Sequence, residues 1–394
     1  MASLYRRGFL RMAAGVAAAT AVTARSRKVW AGSPNRVIVI GAGIIGSSIA
    51  YHLARRGAQV TLLEKEAPAS GTTKNSFAWL NANGKAPRSY YEFNLAGILG
   101  WRRLELEIGG ELALQWGGGL SWGPATAEQI AFRRKRLAER QSWGYPIYEV
   151  DAAEIARLVP GAVPGQVDFA QFSDIEGTVD PALAARVLTA KAQAMGADVI
   201  YPCEITGLDL GTDRIRGVST TKGKFEADYV VIAAGNGTPR IANMAGFNVP
   251  LRESKGILAH SKPHPIILNR VIMPPGNDSK QLPDGRIITG LDYGDSGDTK
   301  PTMELGQQYL RRLTMFLPSA SSVELDYMTL CYRVLPVDGH PIIDRAPKFP
   351  NLYVAAQHSG MTCAPIVGQL VSMEVLDQVS VDMLAPYRLS RFSR

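Results

Sequence analysis

The chain has 394 residues, 46% of them hydrophobic and 20% charged, which fits a globular protein of two domains with a large core and excludes a disordered or repeat architecture. Its formal charge of +8 is concentrated at the start: Arg6, Arg7, Arg11, Arg25, Arg27 and Lys28 precede Gly32, and without residues 1–31 the balance is 37 basic against 35 acidic. No later basic patch interleaves with aromatics, so nucleic acid is set aside as a partner, and Cys203, Cys331 and Cys363 are too sparse for a disulfide framework or a metal cluster.

Taken in order, the first segment has the three-part form of an export signal: Tyr5-Arg6-Arg7-Gly8-Phe9-Leu10-Arg11, an apolar run from Met12 to Ala24, then small residues. It resembles the twin-arginine signals, which pair two arginines with a following Phe-Leu. The run of 13 residues is shorter than the roughly 20 needed to span a bilayer, so a permanent membrane anchor is not expected. Cleavage is expected after Ala31 or Ala24. The resemblance implies a periplasmic protein that meets the twin-arginine export machinery already folded around its cofactor.

Val37-Ile38-Val39-Ile40 predicts a strand, Gly41-Ala42-Gly43-Ile44-Ile45-Gly46 a glycine turn opening a helix, and Gln59 to Leu63 a second strand ending at Glu64 and Lys65. Gly41 permits the turn, Gly43 lets a diphosphate approach the backbone, and Gly46 lets the helix pack close on the strand. The helix start at Ile44 and Ile45 offers its N–H groups to phosphate, and Glu64, 18 residues beyond Gly46, can accept from ribose hydroxyls. The ligand this unit predicts is an adenine dinucleotide, FAD or NAD.

Ser70-Gly71-Thr72-Thr73-Lys74-Asn75 is a loop of small and hydroxyl residues able to approach a phosphate or a flavin edge. From Arg88 to Leu158 the pattern is helical, with Arg133 to Arg136 on a solvated face. Asp180 caps a helix closed by Gly196, strands follow near Asp198, Ile205 and Ile215, and Tyr229 to Ile232 predicts a buried parallel strand ending at Ala234 and Gly235, where a ligand can approach. Residues 247–328 alternate short strands with Pro-Gly turns and one helix near Met303 to Phe316. Asn351 to Ala356 is a strand, His358 to Thr362 a loop, and Ala364 to Leu376 a helix with Pro365 in its first turn. An α/β organisation follows, with a dinucleotide domain from 36–87, 166–246 and 331–394 and a second domain from 88–165 and 247–330.

GAGIIG with Glu64, SGTTKNS, EGTVDP, VVIAAG, RVLPVDGHPIID and NLYVAAQHSGMTCAP occur in the order of one family. The chain resembles the D-amino acid oxidase superfamily, which includes glycine oxidase, sarcosine oxidase and D-amino acid dehydrogenases. The resemblance implies FAD rather than NAD, bound in a glutathione-reductase-like Rossmann domain, with an inserted α+β substrate domain on a mixed sheet. It implies hydride transfer to the flavin from a carbon bearing an amine, in a D-amino acid, glycine or an N-methyl amino acid, and hydrolysis of the imine by water. The electron acceptor is oxygen or, in a dehydrogenase of the same fold, a quinone or carrier; an exported flavin-binding protein without turnover is the alternative of another class. Cofactor contacts are expected at the glycine turn, Glu64, Lys65, Ser70 to Thr73, Asn75, Ile205, Ala234, Gly235 and the Ser359-Gly360-Met361-Thr362 loop.

Arg333 shares its strand parity with Val323, Leu325 and Tyr327; if that face is inward, its fork meets a buried site and suits a substrate carboxylate. A similarly placed arginine has that role in glycine oxidase and D-amino acid oxidase. The other reading is an internal pair with Asp338 or Asp344. Cys331 is similar in position to the cysteine that sarcosine oxidases join to their flavin, and a free thiol is expected here. His358 and Gly360 precede the last helix, whose dipole suits negative charge on a reduced flavin; His358 is a catalytic candidate or a packed loop residue. Tyr332 and His260 are further pocket candidates, and no residue stands out as an essential base.

Overall fold

The protein is described from a computed structural model over residues 35–291 and 296–392, so the expected export signal lies outside the described residues. From Arg36 onward the chain forms one compact unit built on two large sheets.

The first sheet has six strands in the order Ile342–Arg345, Leu352–Ala356, Tyr229–Ile232, Arg36–Ile40 (β1), Gln59–Leu63 (β2) and Asp198–Ile200. All pairs are parallel except the first. A parallel sheet covered on both sides explains the uninterrupted apolar run in β1. Val37 and Val39 enter one core, with the helices Ile44–Arg55 (α1), Arg88–Ile108, Pro181–Ala194 and Gly360–Asp377. Ile38 and Ile40 enter the other, beneath the short helix Thr238–Met244 and a three-stranded meander over residues 205–226.

The second sheet is mixed, with eight strands in the order Leu325–Tyr332, Lys255–Pro263, Arg286–Gly290, Asp278–Gln281, Val271–Met273, Gly119–Gly123, Phe169–Ser173 and Ile147–Glu149. Only Val271–Met273 and Gly119–Gly123 run parallel to each other. The helical reading of 88–158 needs correction: strands Gly119–Gly123 and Ile147–Glu149 separate helices Arg88–Ile108, Ala127–Ser142 and Ala152–Leu158. Strands of three to five residues lie below the length at which alternation shows. Phe169–Ser173, beyond the expected boundary at 165, also belongs to this sheet.

The last helix starts at Gly360 rather than Ala364, which puts Pro365 inside it. A proline there withdraws the N–H that the carbonyl of Met361 would accept. The indole of Trp101, from the helix packed across it, donates to that carbonyl instead at 2.7 Å. Gly97 permits the crossing, since a Cβ there would lie 2.3 Å from the Thr362 carbonyl oxygen.

Candidate flavin and substrate site

The glycine turn is held by its own neighbours. Gly41 has φ of +101°, its N–H donates to the Leu63 carbonyl at 2.7 Å, and a Cβ on it would lie 2.6 Å from the Ala233 carbonyl oxygen. Gly46 packs α1 onto the turn, its hypothetical Cβ 1.8 Å from the Gly41 oxygen. It is buried and does not line the cavity, so the cofactor contact expected of it is corrected to a packing role. Thr73 closes the other side: its Oγ1 accepts from the Ile44 N–H at 3.0 Å and stands 3.1 Å from where a Gly43 side chain would begin. Glu64 is buried at the end of β2, with Oε2 accepting from the Ala42 N–H at 2.8 Å and Oε1 from Glu66 N–H at 3.0 Å.

These residues open into one cavity of about 940 Å³ between the two sheets, at the upper end of the range for ligand pockets and of a size suited to a dinucleotide with a small substrate. Its wall includes Gly41, Gly43, Ile44, Ile45, Glu64, Lys65, Ser70 to Thr73 and Asn75, then Ile205, Ala234 and Gly235, and then His358 to Thr362. The second sheet and its helix contribute Ile257, Leu258, Asp278, Gly290 and Tyr309. A diphosphate fits at the turn, where Gly41 and Gly43 leave no side chain above the start of α1, and ribose hydroxyls fit at Glu64. FAD therefore suits the residues present.

Arg333 lies on the cavity wall. Its Nη1 donates to Ser254 Oγ at 3.1 Å and to the Lys255 carbonyl at 2.7 Å, and the absence of a side chain at Gly256 lets the guanidinium lie against the backbone. Asp338 pairs with Arg391 at 2.7 Å and Asp344 stands 3.7 Å from Arg388. The parity expectation is corrected, because Tyr327 is 42% exposed and stacks on His260 with centroids 4.5 Å apart. Arg333 reaches the cavity for another reason. The strand ends at Tyr332, and Leu330 to Val334 run together along the cavity wall. His260, buried against Tyr327 and Thr329, is not on that wall, whereas Tyr332 is.

Ser359 has φ of +57°, unusual outside glycine, and its Oγ accepts from the Tyr90 hydroxyl at 3.0 Å. His358 beside it is half-buried; burial first, then the charges of Lys85, Arg333 and Arg252, lower its pKa to about 3, so it is neutral at pH 7. Cys331 lies with its Sγ 3.8 Å from the Thr72 carbonyl oxygen, and burial raises its thiol pKa.

Three wall or support residues escaped the sequence reading. Trp79 and Lys85 line the cavity, and Glu176 stands behind Trp79, whose indole N–H donates to Oε2 at 2.8 Å. Tyr145 donates to Oε1 at 2.6 Å, and burial pushes the carboxyl pKa to about 8. Glu176 opens the EGTVDP motif, but its partners lie 97 and 31 residues away in sequence.

The model of the family described as FAD dependent oxidoreductase (DAO) matches residues 36–373. Glycine oxidase of Bacillus licheniformis is 26% identical over 365 residues, covering 90% of this chain and 96% of that protein. Sarcosine oxidase subunit beta of Rhizobium meliloti (strain 1021) is 26% identical, covering 91% and 88%. The solved glycine oxidase of Geobacillus kaustophilus superposes with a TM-score of 0.81 at 22% identity, covering 91% of this chain and 99% of that one. The chain belongs to this DAO family and is an FAD-dependent oxidoreductase of amines or amino acids.

Proposed function

We propose that the substrate is a small amino acid, such as a D-amino acid, glycine or an N-methyl amino acid, whose carboxylate pairs with Arg333 and whose C–N bond is oxidised by hydride transfer. The observation that carries this reading is the position of Arg333 on the cavity wall with its fork oriented by Ser254 and Lys255. An arginine held this way presents a planar pair of donors that suits a carboxylate, and fixing that end of the substrate sets where its α-carbon lies.

Bound FAD supplies the two-electron acceptor. The protein's own part is positioning and exclusion of water. Trp79, Ile257, Leu258 and Tyr309 wall the cavity with apolar surface, and neutral His358 adds no charge to it. The amine binds neutral for transfer, so no essential protein base is required, and water hydrolyses the imine after release.

Oxygen is the proposed acceptor, with a quinone or carrier as the rival; peroxide release in air against dye reduction under nitrogen separates them. The Arg-Arg-Gly-Phe-Leu segment at Arg6 supports export through the twin-arginine pathway to the periplasm. The test of the site itself is Arg333→Ala: FAD content is retained and substrate affinity falls about a hundredfold, the size expected for two charge-assisted hydrogen bonds. Retention of substrate affinity in the variant would remove Arg333 from the site.

A further inference from the structure

Lys85 lies on the same wall as Arg333, where the other cations, Lys65 and Arg240, pair with Glu66 and Glu204. It lies in the loop before the helix Arg88–Ile108, with its ammonium over the Tyr90 ring at 5.9 Å from the centroid, and it makes no side-chain hydrogen bond or ion pair among the described residues. Burial lowers the pKa of this ammonium, and two acidic groups lie within its electrostatic reach, Cys363 and Glu176. Burial pushes the first to about 12 and the second to about 8, so at pH 7 neither provides an anion.

A half-buried ammonium facing a cavity without a protein counterion is costly, which is why burial lowers its pKa, and a ligand carboxylate would offset that cost and favour the charged form. The diphosphate of FAD is not that ligand, because its place is the glycine turn at Gly41 and Gly43, whereas Lys85 stands over Tyr90, whose hydroxyl donates to Ser359 at the start of the last helix, and is within electrostatic reach of His358 and Cys363. Lys85 and Arg333, both on the wall, are with Arg252 the charges that reach His358. The wall thus carries two cations around one neutral imidazole.

We propose that Lys85 is a second carboxylate site, so that the preferred substrate is an amino acid with two carboxylates, one held by Arg333 and the other by Lys85, with the amine between them. This inference rests on the assignment of Arg333 to the first carboxylate. Lysine acts here as a compact point charge on a flexible stem, which tolerates variation in the length of the second arm, while the planar fork of Arg333 fixes the end next to the reacting carbon.

The test uses FAD-loaded protein and two probes that share a thioether in place of the amine and cannot be oxidised at a C–N bond. These are (methylthio)acetate, with one carboxylate, and thiodiacetate, with two, and each titration follows the flavin absorbance. The wild type is expected to bind thiodiacetate at least about tenfold more tightly, the lower end for one charge-assisted hydrogen bond. Lys85→Met brings the ratio of the two affinities close to one, and Lys85→Arg keeps the preference, with FAD content and spectrum showing that both variants are folded. A wild-type ratio near one, or a preference that survives Lys85→Met, overturns the proposal. Arg333→Ala separates the two assignments. Weakened binding of (methylthio)acetate supports the Arg333 site whatever Lys85 does, and unaltered binding of that probe removes the first carboxylate site and this proposal with it.

Discussion

Trp79 and Glu176 are joined by one hydrogen bond, indole N–H to carboxyl oxygen at 2.8 Å, which fixes the face that Trp79 presents to the cavity. Glu176 is 1% exposed, and a Cβ on Gly119 would lie 2.0 Å from its Oε2, so the carboxyl has no room to turn away. Burial holds it protonated to about pH 8, against an ordinary value of 4.5.

A raised carboxyl pKa makes a specific demand on stability. Between the ordinary value and about 8 the unfolded chain has released this proton and the folded protein has not, so the contribution of Glu176 falls as pH rises through that window. Glu176→Gln removes the titration. The melting temperature of the wild-type holoprotein is therefore expected to drop relative to that of Glu176→Gln between pH 5 and pH 8; parallel curves would show that Glu176 is ionised in the fold.

His358 carries the opposite sign. Its pKa is lowered to about 3, first by burial, so the neutral ring favours the folded state fully above its ordinary 6.5 and that contribution is lost as pH falls toward 3. Activity from pH 5 to pH 8 should show no inflection that disappears in His358→Gln. An inflection near 6.5 abolished by that substitution would make the imidazole a titrating participant.

The Cys331 thiol is half-buried with its pKa raised by burial, a setting that disfavours the thiolate. Acid precipitation of the yellow protein should leave the colour in the supernatant. Colour that stays with the pellet in the wild type and leaves it in Cys331→Ser would show a covalent bond.

The proposed export rests on the paired arginines Arg6 and Arg7. Arg6→Lys combined with Arg7→Lys should leave the FAD-loaded protein in the cytoplasmic fraction of a bacterial host that moves the parent chain to its periplasm. Equal periplasmic yield from both chains would contradict the twin-arginine assignment.

The parts of the site legible in the sequence are those written in adjacent residues. Gly41, Gly43 and Gly46 announce a turn because backbone geometry selects glycine there, and Glu64 and Gly235 follow apolar runs that read as strands. Arg333 was placed on the cavity by a parity that does not hold. A register irregularity lies between His260 and Ser261 opposite its strand, and the chain leaves the sheet at Tyr332, which periodicity cannot show. Lys85, Trp79 and Glu176 were not legible, since their meaning lies in contacts with Tyr90, Tyr145 and each other that only the packed fold creates. Strand Gly119–Gly123 was hidden for a related reason: its neighbours in the sheet are residues 169–173 and 271–273, far along the chain.

The most direct test mixes the FAD-loaded protein without oxygen with glycine, sarcosine, a set of D-amino acids and iminodiacetate, and records the flavin absorbance. At least one of these is expected to bleach the flavin, more slowly when the carbon bearing the amine is deuterated, and Arg333→Ala is expected to need far more substrate for the same rate. A flavin that stays yellow with every one of them would contradict oxidation of a small amino acid at this site.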